Sequence, residues 1–347
     1  MDTAATPQET HQHHLQTGSR LVVIGASLGG VSALPALLSG LPKDFPCPVL
    51  VAMHIDAYRS ELPQLLSAQC AMPAAHAVDG DMLRPGHIYV APPDQHMLVD
   101  GPVVVLTRSA KEHHSRPAVD PLFRSAALSR GANVIGVVLT GMLTDGSFGL
   151  QAIKEAGGVA LVQHPDDAIA PGMPRAALRT VNVDHCLPLN EIAAKLRELA
   201  AAPRPLQPWA QRDRAEIEHA VFLRRGNSVE HLSAIADPSP YVCPDCKGGL
   251  WSLKNVFPPR FRCHTGHAYG LETLEHSQSE ATDDALWTAT RGVQEKLMLM
   301  EQIIASRRQQ GEHAEADQLE SELKIARQYL DTLQEIAIGM PGSAARF

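Results

Sequence analysis

The chain has 347 residues, 44% of them hydrophobic, enough for two or three domains with a buried core. Aromatics make up only 4%, so that core must rest on Leu, Val, Ile, Ala and Met. A formal net charge of −8 disfavours non-specific binding to nucleic acid or to an anionic membrane, since both repel an acidic protein.

The first residues, MDTAATPQETHQHHLQTGSR, lack the basic start and apolar run of a secretory signal. No stretch approaches the roughly 18–20 apolar residues of a membrane span. A cytoplasmic protein with no membrane insertion and no nucleic-acid partner is expected. Residues 1–19 read as a solvated tail, although they carry His11, His13 and His14.

Residues 20–200 alternate strand-like and helix-like patterns. LVVIGAS is a buried strand entering a Gly-rich turn, GVSALPALLSGL a helix, and PVLVAMH the next strand. HIYVAP and PVVVLT read as a hairpin turning at Asp100–Gly101. DPLFRSAALSRG is helical, NVIGVVLTG is a buried strand, SFGLQAIKEAGG is a helix and VALVQ the strand after it. Strands that are apolar on both faces and separated by helices predict an α/β domain with a doubly wound, mostly parallel sheet.

Residues 201–240 open with the Pro-rich APRPLQP, continue as a helix over 209–225 and break again at DPSP. Residues 241–276 hold a Cys/His cluster that reads as a small zinc-ribbon-like module. Residues 277–347 contain two amphipathic runs broken near Gly311. Leu286, Thr290, Val293, Leu297, Met300 and Ile304 step by four and three, as do Leu319, Leu323, Ala326, Leu330 and Leu333. An α-helical hairpin is predicted, its stripe serving as core and able to pair between chains.

Sites in open parallel sheets form beyond the carboxyl ends of the strands. Three strands here end on chemically useful residues: Ser27 in GASLGG, His54 in AMHID and Asp145 in LTGMLTDG. A Ser hydroxyl needs a base to become a nucleophile, His supplies one near neutral pH, and a carboxylate fixes the imidazole tautomer. Taken singly, each has a simpler reading. GASLGG resembles a nucleotide-binding turn, but only Gly25, Gly29 and Gly30 of a full G-x-G-x-x-G are present, with Asp56 where a ribose-binding acid would sit. His54 alone could be structural, and Asp145 a turn residue or helix cap.

Six separated blocks resemble the catalytic domain of the chemotaxis receptor methylesterases (CheB-type): VVIGASLGG, VAMHI, PGHIYVAPPDQHM, RPAVDPLF, GVVLTGMLTDGSFGL and PGMPRAAL. The resemblance covers about residues 20–198. It implies a serine esterase that hydrolyses glutamyl γ-methyl esters on cytoplasmic chemoreceptor helices, releasing methanol, with glutamine deamidation as related chemistry. It assigns the nucleophile to Ser27, the base to His54 and the acid to Asp145, and it gives the Met142 backbone N–H to the oxyanion hole. The residue after the nucleophile is usually small and hydroxylated in the family but is Leu28 here, whose N–H can still serve. Well-studied members carry an N-terminal receiver domain that is not expected in this chain, so the usual phosphorylation control does not apply. His96, His113, His114, Arg116 and Asp120 lie in or beside the matching blocks, and Arg116 and Asp120 read as a structural ion pair.

CPDCKGGLW followed by FRCHTGHAY gives C-x2-C and then C-x3-H. Cys243, Cys246, Cys263 and one histidine suit tetrahedral zinc. His264 and His267 compete for the fourth position; similar modules following such esterase domains read C-x-x-G-H-A-Y, which favours His267. Four protein ligands leave no open position, so the zinc would be structural, and catalysis needs no cofactor. The module is expected to dock other chemosensory proteins, so that deleting 241–347 would spare hydrolysis of a small ester. Two rivals stand beside the esterase: a nicotinamide-dependent enzyme and a non-catalytic signalling adaptor.

Overall fold

The computed structural model describes residues 20–54, 60–201 and 208–339. The histidine-bearing tail, Asp56 and most of the APRPLQP linker lie outside the described residues.

In chain order the first part runs β1 (Leu21–Ala26), α1 (Gly30–Leu38), β2 (Val49–Met53), α2 (Leu62–Gln69), β3 (Ala74–His76), β4 (Ile88–Val90), β5 (His96–Asp100), β6 (Val103–Thr107), α3 (Val119–Arg130), β7 (Val134–Val138), α4 (Ser147–Glu155), β8 (Val159–Gln163), α5 (Gly172–Thr180), β9 (His185–Leu187) and α6 (Leu189–Ala200). Seven of these strands form one parallel sheet in the order β3-β4-β2-β1-β7-β8-β9. The strands β1, β2, β7 and β8 are buried along their whole length, because helices cover both faces. On one face Val22 and Ile24 pack with Leu34, Leu37 and Leu38 of α1 and with Ile192 and Leu196 of α6. On the other, Leu21 and Val23 pack with Leu122 and Phe123 of α3, Leu150 and Ile153 of α4, and Met173 and Ala177 of α5. Each such Leu or Phe contributes about 1.5–3 kcal/mol by leaving water.

The chain builds outward from β1 through β2, then returns to build outward on the other side from β7. The crevice at the carboxyl end of β1 is therefore the switch point of the sheet, where open α/β folds hold their ligands.

The hairpin is placed differently from the sequence reading. HIYVAP contributes β4, a parallel strand of the main sheet, while PVVVLT forms β6 and pairs antiparallel with β5, HMLVD. Asp100 pairs with Val103, so the turn at Gly101–Pro102 lies where a turn was expected but joins a different first strand. The misreading arose because a short apolar run looks alike in a buried parallel strand and in a hairpin.

After α6 come α7 (Arg212–Phe222), α8 (Ser228–Ile235) and a second, antiparallel sheet of β10 (Ala236–Val242), β11 (Gly249–Leu253), β12 (Arg260–Cys263) and β13 (Ala268–Gly270). DPSP does not break the chain as read: Asp237 and Pro238 pair with Ser252 and Trp251. β10 is an edge strand with a register shift between Pro238 and Val242, the setting in which a sheet tolerates Pro.

Among the described residues, those up to Thr273 form one compact unit and those from Leu274 onward form another. In the second unit, α9 (Leu271–Gln309) and α10 (His313–Gly339) make the predicted hairpin, with Gly311 in a left-handed conformation at the turn. Leu297, Met300 and Ile304 close on Ala316 and Leu323, so the stripe is core between the two helices.

A buried ion cluster lies inside the first unit. Glu112 pairs with Arg124 of α3 at 2.7 Å, with Arg262 at 2.9 Å and with Arg260 at 3.2 Å, both of β12. Glu218 of α7 accepts from Arg260 at 2.8 Å and lies 3.4 Å from Arg262. The Arg260 guanidinium also sits 4.8 Å from the ring centre of Phe148 on α4. Such a cluster gains little over an apolar alternative but tolerates loss of a member badly, because the remaining charges stay buried without partners. The antiparallel sheet is thus bonded into the α/β unit, and deletion of 241–347 would leave Glu112 and Glu218 short of their arginines. Glu112→Ala is expected to lower stability by about 3–5 kcal/mol, read as a reduced urea midpoint, with an exposed control such as Glu230→Ala within about 0.5 kcal/mol of the parent.

Candidate active site and metal cluster

Ser27 follows β1, His54 follows β2 and Asp145 follows β7, on three adjacent strands. The β1–β2 register ends at Ala26 opposite Met53, which brings Ser27 and His54 side by side as the next residues. Ser27 N donates to Thr140 O at 2.9 Å and His54 N to Ala26 O at 3.2 Å, so both backbones are fixed. Gly141 is required beside the serine: a Cβ there would lie 2.9 Å from Ser27 Cβ and 2.1 Å from Met173 Sδ.

His54 Nε2 and Asp145 Oδ2 are 2.6 Å apart. The same oxygen accepts from Val119 N at 2.7 Å, while Oδ1 accepts from Asp120 N at 2.9 Å and Gly146 N at 2.8 Å. Val119 and Asp120 open α3, so the carboxylate sits where a helix presents free N–H groups and the positive end of its dipole. Burial pushes the Asp145 carboxyl up, but the His54 hydrogen bond, the His113 charge and these amides outweigh it and hold the group at about 2. With Nε2 engaged, Nδ1 is the imidazole nitrogen left for other work. Among the described residues the Ser27 hydroxyl has no hydrogen-bond partner, His54 included.

Leu28 and Met142 are both exposed, at 59% and 53%. Neither backbone N–H donates to an acceptor among the described residues, although Gly141 N, next to Met142, is held by Ala170 O. Two unengaged amides therefore flank Ser27. Packing demands glycine at two of these positions: a Cβ on Gly25 would strike Val119 at 2.3 Å, and one on Gly30 would strike Met53 at 2.9 Å. A cleft of about 930 Å³ opens on His54, lined by Val31, Leu62 and Leu65 together with Lys111, His114 and Arg116.

Arg116 and Asp120 do not pair with each other. Arg116 binds Asp94 at 2.6 Å and the carbonyls of Arg108 and Ser109. Asp120 lies 3.0 Å from buried His113 Nε2 and accepts from Gly149 N at 2.6 Å. His113 also stands 3.9 Å from Asp145 Oδ1. Burial opposes a charge on His113, but the Asp120 hydrogen bond and the charges of Asp145 and Asp120 outweigh it and hold the imidazole above its usual range. His113, Asp120 and Asp145 are close enough to suggest a cation site, yet their oxygens are already taken by N–H donors. His96 is buried and structural, lying 3.1 Å from Ala110 O and accepting from Ala118 N at 3.2 Å. Sequence reasoning singled out neither Glu112 nor Asp94, although Asp94 lies inside the PGHIYVAPPDQHM block.

In the second sheet the ligand atoms of Cys243, Cys246, Cys263 and His267 all lie within 4.8 Å of one another. Cys246 Sγ is 3.7 Å from Cys263 Sγ, and His267 Nδ1 is 3.5 Å from Cys263 Sγ and 3.7 Å from Cys243 Sγ. A tetrahedron with usual zinc–sulfur and zinc–nitrogen bonds has edges of roughly 3.5–3.8 Å, so the set fits that ion. His264 stands outside the cluster, its ring against Gly248.

The CheB methylesterase family model matches residues 22–196, just over half of the chain. The chain belongs to the CheB methylesterase family. A protein-glutamate methylesterase/protein-glutamine glutaminase of Anaeromyxobacter dehalogenans is 44% identical over 180 residues, covering 52% of this chain and 53% of that protein. Another of the same printed name, from Myxococcus xanthus, is 41% identical over 202 residues, covering 56% and 58%. The CheB methylesterase catalytic domain of Thermotoga maritima, a crystal structure, superposes with a TM-score of 0.51 at 33% identity, covering 52% of this chain and 99% of that one. The chain thus spans about half the length of the curated relatives it matches. The CheB match ends before α7, so the second sheet and the helical hairpin lie outside it. No helix among the described residues is long and apolar enough to cross a membrane.

A carboxyl whose pKa is depressed on folding stabilises the protein above its unfolded pKa, and that stabilisation is lost as pH falls through the folded value. Asp145 is held at about 2, and the arginines around Glu112 and Glu218 outweigh burial and keep both below the usual range. Thermal stability is therefore expected to fall as pH drops from about 4 towards 2, and Asp145→Asn to flatten that slope in a series of melting curves. His113 works with the opposite sign, its contribution being lost as pH rises through its raised value.

Proposed function

We propose that the protein is a cytoplasmic methylesterase that hydrolyses glutamyl γ-methyl esters on chemoreceptor helices, with Ser27, His54 and Asp145 as its catalytic triad. The 2.6 Å contact between His54 and Asp145, beside Ser27 at the switch point of a CheB-family sheet, carries this reading.

Neutral His54 holds its proton on Nε2, where the Asp145 carboxylate accepts it, and this leaves the Nδ1 lone pair as base. Ser27 Oγ attacks the ester carbonyl carbon and its proton passes to Nδ1. The tetrahedral oxyanion accepts hydrogen bonds from the Leu28 and Met142 amides, which have no protein acceptor to give up. Collapse breaks the carbon–methoxy bond, and the imidazolium returns the proton so that methanol leaves. Water, deprotonated by His54, then attacks the glutamyl–Ser27 ester; the carbon–Oγ bond breaks, the imidazolium returns the proton to Ser27 Oγ, and the carboxylate is freed. A glutamine side chain would follow the same path with ammonia leaving, in keeping with the double printed name of the relatives. No cofactor takes part.

The Cys243, Cys246, Cys263 and His267 set is a closed structural zinc site in this reading, since four protein ligands leave no coordination position for substrate. The described membrane-free helices and the family membership support a cytoplasmic location.

Methanol release from methylated receptor cytoplasmic fragments tests the reading. Ser27→Ala is expected to lose roughly 10³-fold or more in rate, and Asp145→Asn about 10³–10⁴-fold with folding intact. Release that survives Ser27→Ala would overturn the nucleophile assignment. Elemental analysis of the purified chain should find about one zinc per molecule, and Cys246→Ala should lose it with a fall in Tm.

A further inference from the structure

The loop over residues 111–116 has two faces. Its front lines the cleft that opens on His54, through Lys111, His114, Ser115 and Arg116. Its back is bonded to the Cys/His module. Glu112 bridges Ala268 of β13 and takes Arg260 and Arg262 of β12. His113 N donates to Ala268 O at 2.9 Å. His114 Nδ1 lies 3.0 Å from Asp245 Oδ1, and the His114 ring stands edge-on to Tyr269 at 5.4 Å. Asp245 belongs to the CPDC turn between Cys243 and Cys246, and it also accepts from Tyr269 OH at 2.7 Å.

Two consecutive loop residues, His113 and His114, hold positive φ angles of 52° and 61°. Such backbone is strained for residues with a Cβ and persists only where surrounding contacts over-determine it. Here the module supplies Ala268, Arg260, Arg262 and Asp245 as contacts, and α3 adds Arg124 on Glu112 and Asp120 on His113. The same loop carries His113, which stands against both Asp120 and Asp145. The path from the metal-ligand turn to the triad acid is therefore three contacts long: Asp245 to His114, along the backbone to His113, and from His113 to Asp145.

We propose that the Cys/His module is a positioning element of the esterase site, and that the Asp245–His114 bond sets the loop wall against which the ester substrate docks. The proposal rests on the esterase reading for its kinetic consequence, but not for its structural one. It assigns the module work inside the catalytic unit, in place of a detachable docking role. Asp245 touches no reacting atom and acts through His114. Its loss lets the strained loop relax away from the cleft, which weakens substrate binding more than it slows the chemical step.

The test uses the full-length zinc-loaded protein with Asp245→Ala, His114→Ala and the double variant. Three readouts are taken: KM and kcat on a methylated receptor fragment, zinc content, and hydrogen exchange of the amides in 111–116. Each single change is expected to raise KM roughly three- to tenfold with kcat within about twofold, and the double variant to be no worse than either single. Asp245→Asn keeps an acceptor for His114 and should restore KM. Exchange in 111–116 should quicken in Asp245→Ala while zinc content holds. Wild-type KM and wild-type exchange in Asp245→Ala would overturn the proposal, as would effects that multiply in the double variant. If Asp245→Ala sheds zinc, His114→Ala decides, because it removes the same bond without touching the ligand turn: quickened exchange supports the proposal and unchanged exchange overturns it. If the parent protein hydrolyses no ester, the esterase reading fails by itself and the exchange data alone decide the loop's dependence on Asp245.

Discussion

The Asp145 carboxylate is the point on which the site turns. Each of its oxygens accepts two hydrogen bonds, and the four donors come from three different parts of the chain: His54 after β2, Val119 and Asp120 at the start of α3, and Gly146 beside Asp145 itself. A buried carboxylate is tolerable only when its charge is met this fully. The constraint reaches outward. α3 must point its first turn at the carboxyl end of β7, and β1 must lie close enough beneath Val119 that only Gly fits at position 25. The packing that satisfies the acid also aligns the imidazole.

A second layer of charge stands behind the first. Asp120 meets His113, and Arg260 lies 3.8 Å from Asp120 while it binds Glu218 and Glu112. The elements involved are α3, α7, β12 and the 111–116 loop. Low dielectric makes each of these contacts strong and each missing partner costly, so the group behaves as one unit. Asp145 with its hydrogen-bond donors and the Cys/His module are in consequence neighbours in a single folded body, although about a hundred residues separate Asp145 from Cys243 in the chain.

How much of this could be read beforehand varies with the range of the interaction. Ser27 and His54 stood out in the sequence because each directly follows an apolar strand, whereas Asp145 lies beyond β7 in the LTGMLTDG turn and was marked only by that turn. The Cys/His set was legible because its spacing is local: His267, the histidine that joins the three cysteines in space, sits four residues after Cys263. The hairpin was misassigned because HIYVAP and PVVVLT carry the same apolar signal, and only pairing partners tell a central strand from a hairpin arm. DPSP was read as a break because Pro punctuates most strands; its place on an edge strand, invisible locally, removes the objection. Nearness in sequence suggests an Arg116–Asp120 pair, but in the structure Arg116 binds Asp94 and Asp120 meets His113.

By itself the sequence determined the alternation of buried strands and helices, the polar residue types that follow three strands, the C-x2-C and C-x3-H spacing and the helical hairpin, because periodicity and motif spacing are encoded within a few turns of chain. The tertiary structure alone decided which strands are neighbours, which amides cradle Asp145, and that Arg262 of the Cys/His module closes on Glu112, 150 residues earlier. These depend on burial. A charged residue far along the chain carries no local mark of the partner it will meet, and the cost of leaving it unpaired is felt only once water has been excluded.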